Sequence, residues 1–139
     1  MSGWLFLHIL SLGVWIGCIA TETIVEHGVK GEAQRDYVAR IHWPIDLYVE
    51  TPAFVVVALS GLMLWGRAAP DATLIAKVAA GGLAVLTNAL CVWVVHARRA
   101  ARERGDVAVY ARLDHIQHKI GGALVILIVV AFGIGLYRH

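Results

Sequence analysis

The chain has 139 residues and a mass of 15.1 kDa, is 59% hydrophobic and 16% charged, and has a mean hydropathy of +0.70. Composition this apolar excludes an ordinary soluble domain, a disordered chain and a disulfide scaffold, and the length leaves no room for two domains. A formal net charge of +2 points to no nucleic-acid partner, and in a membrane chain the basic residues mostly report orientation.

A membrane helix takes about 20 mostly apolar residues. Four such segments follow one another, at about 4–24, 43–66, 73–97 and 113–137. The reading is an all-α integral membrane four-helix bundle, one domain in contact with the lipid bilayer. Span one follows Met1-Ser2-Gly3, which carries no basic residue, so it reads as a retained span and not a cleaved signal. Span two confines its acids to its first half. The segment 66–71, with Pro70, is a tight turn, and Lys77 stands near the start of span three. The stretch from Arg98 to Arg112 reads as a continuation of span three beyond the bilayer. Span four is uncharged after Lys119. Cys18 and Cys91 lie in apolar runs and read as small hydrophobes. Trp4, Trp43, Trp65, Trp93 and Tyr137 fall near span ends, where interfacial aromatics belong. Gly13, Gly17, Gly81 and Gly121 offer small faces for close helix packing and permit a homodimer.

Lys30, Arg35, Arg40, Arg98, Arg99, Arg102, Arg104, Arg112 and Lys119 cluster around the connections between spans one and two and between spans three and four. The opposite side holds only Arg67, Lys77 and Arg138. The positive-inside rule makes the first side cytoplasmic and puts both termini outside. The expected location is a bacterial inner membrane.

Polar residues concentrate at that cytoplasmic end. His42, Asp46 and Glu50 are spaced i, i+4, i+8 and share one helical face; His115 and His118, spaced i, i+3, share another. Glu22 closes span one and His96 closes span three at the same end. Ionised carboxylates inside a bilayer cost several kcal/mol unless compensated, on the order of +2.5–3.5 each on insertion scales. Metal cations compensate them well, and His/carboxylate sets on facing helices build dinuclear centres in bundle proteins. The expected ligands are Glu22, His42, Asp46, Glu50, His96, His115 and His118, enough for two ions of iron, copper, manganese or zinc. The expected chemistry is redox on oxygen species or on a lipid-soluble donor such as a quinol. Glu26 and Asp114 read as supporting residues, His27 as a solvated loop residue and His139 as an inert terminus.

The bland alternative is a plain ion network in which Arg40, Arg112 or Lys119 pairs with Asp46 and Glu50. A structural subunit of this kind binds no metal. A haem b oxidoreductase would use axial histidines, for example His42 or His96 with His118. A metal-ion carrier would need a polar path, for which the external half offers only His8 and Lys77.

Trp4-x-x-x-His8, Trp15-Ile16-Gly17, Thr51-Pro52-Ala53 followed by Gly61, Lys77, and Arg112 just before span four form a further pattern. It resembles that of the small four-helix membrane protoporphyrinogen oxidases and the related copper-resistance-D-like membrane proteins. The resemblance implies the same four-helix scaffold, associated haem b, and functional roles for His8 and Lys77. The chain departs from the oxidases at helix four, where Asp114-His115-Ile116-Gln117-His118 stands in place of an Asn-Glu-x-Pro-like motif. His42, Asp46 and Glu50 are likewise outside the family pattern. The scaffold is thus expected to be shared and the site to differ.

Overall fold

The computed structural model describes residues 2–137; Met1, Arg138 and His139 lie outside them. The elements in chain order are α1 (Gly3–Gly28), α2 (Glu32–Ile45), a π-turn (Asp46–Glu50), α3 (Thr51–Trp65), α4 (Ala72–Glu103) and α5 (Val107–Tyr137), with no strand among the described residues. The α2–π–α3 run forms one rod. With α1, α4 and α5 it gives four helical segments long and apolar enough to cross a membrane, the makeup of a multi-pass membrane protein. Large apolar side chains such as Phe6, Leu59, Leu86, Ile126 and Val129 stay exposed on the outside of the bundle, as in a protein whose solvent there is lipid.

Polar side chains start α1, α4 and α5. The Ser2 hydroxyl accepts from the Leu5 N–H at 3.3 Å, the Asp71 carboxylate from Leu74 at 2.8 Å and the Asp106 carboxylate from Val109 at 3.0 Å. Beyond the end of α4, Gly105 turns the chain, its φ of 73° being the left-handed position that glycine adopts without penalty. The Asp106 N–H then bonds the Ala101 carbonyl at 3.0 Å. This stop corrects the expectation for Arg98–Arg112: α4 ends at Glu103, and Arg112 belongs to α5. The segment before span two is likewise mostly helix, because α2 already begins at Glu32.

Helix α1 packs chiefly on α3, and α4 on α5. Along the bundle axis the side chains sort into three layers. The middle layer is apolar and draws on every span, with Trp15, Phe54, Val57, Ala84, Leu124 and Ile128 buried together. On one side of it His8 Nδ1 lies 3.1 Å from the Val57 carbonyl and 3.0 Å from Ser60 Oγ. On the other side lies a layer of carboxylates and histidines. The packed middle separates the two polar ends.

Trp15 joins the middle layer to the polar one: its ring meets Phe54 at 6.0 Å, and its indole N–H donates to Asn88 Oδ1 at 3.0 Å. Both residues are buried, so Trp15→Phe leaves the Asn88 oxygen without a donor. The expected loss is about 1–3 kcal/mol, read as a lower unfolding midpoint in detergent; an unchanged midpoint would show that this bond contributes nothing.

The glycines named above for packing are not where helices approach closely. A Cβ added at Gly13, Gly17, Gly81 or Gly121 would meet no neighbour within 4 Å. The close approaches are at Gly61, where a Cβ would stand 3.2 Å from His8 Cε1, and at Gly135, 2.9 Å from Lys77 Nζ.

Candidate metal centre

The polar layer is organised by the π-turn. Its closing bond runs from the Thr51 N–H to the Asp46 carbonyl, five residues back. The next residue is Pro52, which has no N–H to give and so cannot continue a regular ladder there. A π-turn advances each residue by less rotation than an α-turn, which offsets the drift expected along His42, Asp46 and Glu50. All three are buried, while Leu47, Tyr48 and Val49 between the two acids all face outward. Such wide turns occur often at functional sites.

Glu22 on α1 meets His42 and Asp46 on the rod. One ligand atom from each of these three residues lies within 4.8 Å of the others. His42 Nε2 is 3.4 Å from Glu22 Oε2 and 3.4 Å from Asp46 Oδ1. Two donors bound at about 2.1 Å to one tetrahedral ion stand about 3.4 Å apart, so the spacing suits an ion shared between them. The second oxygens, Glu22 Oε1 and Asp46 Oδ2, are buried without a hydrogen-bond partner. A cavity of about 310 Å³ opens from here, lined by Glu22, Asp46, Glu50, Asn88, Cys91 and Gln117 among others.

Glu26, one turn beyond Glu22, is the hub of the layer. Its Oε1 lies 3.0 Å from His42 Nδ1 and accepts from Arg98 Nη2 at 2.8 Å and from Gln117 at 3.4 Å. Arg98 also donates to Asp114 at 2.7 Å. When the ring is neutral, this carboxylate would hold its proton on Nδ1 and leave Nε2, which faces Glu22 and Asp46, free to bind a cation. Proteins orient metal-binding histidines in this way.

The seven ligands read from the sequence therefore divide. Glu22, His42 and Asp46 come together, and Glu50 is buried in the same cavity wall. His118 sits at the cavity edge, its Nε2 3.7 Å from Glu26 Oε2. His96 and His115 are exposed and do not line the cavity; the His96 ring packs on Trp43 at 4.7 Å. Helix α4 instead contributes Asn88, Cys91 and the buried guanidinium of Arg98. His27 is not a loop residue, because it lies in the last turn of α1 and lines the cavity. Among the described residues, none of Arg40, Arg112 and Lys119 pairs with Asp46 or Glu50. Lys77 and His8 lie at the opposite end of the bundle.

Glu26 and Arg98 carry more of the layer than their places in the sequence suggest. The i, i+4 spacing of Glu22 and Glu26 was a usable signal for the first. Arg98 reads in sequence as one of the loop cations, although it follows only two residues after His96, within reach of the same layer.

No family model, curated protein or solved structure matches the chain.

Proposed function

We propose that this is a membrane-embedded metalloprotein that holds a divalent cation between Glu22, His42 and Asp46, with Glu50 in reach as a further donor. The observation that carries this reading is the pair of buried, unpartnered carboxylate oxygens beside an imidazole already oriented by Glu26. Four carboxyls, of Glu22, Glu26, Asp46 and Glu50, share the layer with a single guanidinium that contacts them, Arg98, among the described residues. A bound cation offsets that excess of negative charge; protonation of the carboxyls or of His42 is the competing arrangement.

One imidazole and two carboxylates make a harder donor set than the seven-ligand mixture, one that suits manganese, iron or zinc; copper(II) ranks above them in intrinsic affinity, so geometry and metal supply decide between them. Three protein ligands leave a coordination position toward the cavity, as reactive metal sites do and sealed structural ones do not. Iron or manganese there would support the redox chemistry expected from the sequence, on a small or lipid-soluble molecule entering the cavity. By the positive-inside rule the site lies toward the cytoplasmic face of the membrane. No observation favours haem: both His42 nitrogens face carboxylates, His118 faces Glu26, and His8 is engaged by Val57 and Ser60.

The test is cobalt(II) titration of the detergent-purified chain, followed by d–d absorption. Wild type is expected to saturate at about one ion per chain, and Glu22→Gln, which keeps the shape and removes the charge, to weaken binding at least about tenfold. Equal affinity in the two proteins would remove Glu22 from the site.

A further inference from the structure

The cavity has an inner end, at Glu22, His42 and Asp46, and an outer rim formed by His27 of α1 and His118 of α5. The two rim rings stand edge to face, with centroids 5.9 Å apart and planes at 74°. Both are fixed in the same way: His27 Nδ1 is 2.8 Å from the Thr23 carbonyl, and His118 Nδ1 is 2.8 Å from the Asp114 carbonyl. A carbonyl only accepts, so each Nδ1 carries a proton and each neutral ring keeps its lone pair on Nε2. Both residues are also part of the cavity wall. Glu26 connects rim and interior, with Oε2 3.7 Å from His118 Nε2 and Oε1 3.0 Å from His42 Nδ1. Because Arg98 and His42 engage Oε1, the oxygen left to exchange partners is Oε2.

We propose that His27 and His118 form an outer capture site for a divalent cation, which Glu26 passes inward to Glu22, His42 and Asp46. This inference rests on the metal reading above. The transfer is ligand exchange alone: the arriving ion trades water for imidazole at the rim, then imidazole for the Glu26 carboxylate, and last reaches the buried donors. Two exposed imidazoles hold a partly hydrated ion weakly enough to release it, whereas the buried set retains it. The two histidines therefore govern how fast the ion arrives, and the inner three residues govern whether it stays.

The experiment is stopped-flow loading of the full chain in detergent with cobalt(II) alone, read by d–d absorption. The double variant H27A/H118A is expected to reach the wild-type end point at a rate lowered about tenfold. A wild-type rate in the double variant overturns the capture site and leaves the inner site standing. A lost end point in a folded double variant makes one of these histidines a ligand of the inner ion and also overturns the proposal. No cobalt uptake by wild type overturns the inner site, and the capture site with it. If circular dichroism shows the double variant unfolded, His27→Gln and His118→Gln are measured singly, each expected to slow loading.

Discussion

Replacing His42 with alanine is expected to abolish metal binding, with affinity falling by more than about 100-fold, while His96→Ala and His115→Ala bind as wild type does. Removing a ligand should cost more than removing a residue that merely orients one, which costs 10–100-fold. His42 is the only imidazole among the three converging donors, and it is also the residue through which Glu26 is tied to the inner site. His96 and His115 are exposed and away from the cavity, so their loss should change neither affinity nor fold. Because His42→Ala also strands buried carboxylates, Asp46→Asn provides a second check: it keeps the side-chain volume and removes one anionic donor. Isothermal titration with manganese(II) or zinc(II) reads all four variants. Retained affinity in both His42→Ala and Asp46→Asn would contradict the assignment, as would a loss confined to His96→Ala.

The largest stability effect is expected at Arg98. Its guanidinium is buried and bridges Glu26 of α1 and Asp114 of α5 at 2.8 and 2.7 Å. Breaking a buried pair from one side leaves an uncompensated charge, which costs about 3–5 kcal/mol. Arg98→Met should therefore lower unfolding stability in detergent by about that amount. Arg98→Lys should recover only part of it, because an ammonium cannot span two carboxylates with a planar fork. The double variant Arg98→Met/Glu26→Gln should be more stable than Arg98→Met alone, since it removes the stranded charge; a double-mutant cycle measures the coupling. Additive losses would mean that the two side chains act independently.

Much of the architecture was legible because hydropathy alone decides it. Four apolar stretches of membrane-crossing length give four helical segments, and each predicted span falls on one of them, the second overrunning its end at Trp65 by one residue. The ends were less legible: Glu32–Ile45 is amphipathic, with charged residues through its first half, and looks like a connection until it is seen to continue into the rod. Within the site, the spacing of His42, Asp46 and Glu50 correctly put three polar residues on one inward face. The π-turn that keeps them there was not foreseen, although Pro52 marks where a regular ladder fails. His96 and His115 group with the cluster in sequence because sequence gives a residue's height along a helix more readily than its direction. Both stand at about the right level and point outward. Glu26 was underweighted for the converse reason, since its importance comes from partners on α2, α4 and α5 that no local spacing brings into view.

Elemental analysis of wild-type protein, purified in detergent without added metal or chelator, tests the central claim most directly when paired with an absorption spectrum recorded oxidised and after dithionite. About one manganese, iron or zinc ion per chain is expected, with no Soret band and with loss of the ion in His42→Ala. A chain free of metal that also takes up none on titration would contradict it and leave Glu22, His42 and Asp46 as a protonated ion network. A strong Soret band with reduced α and β bands would contradict it in the other direction and make the protein a haem carrier.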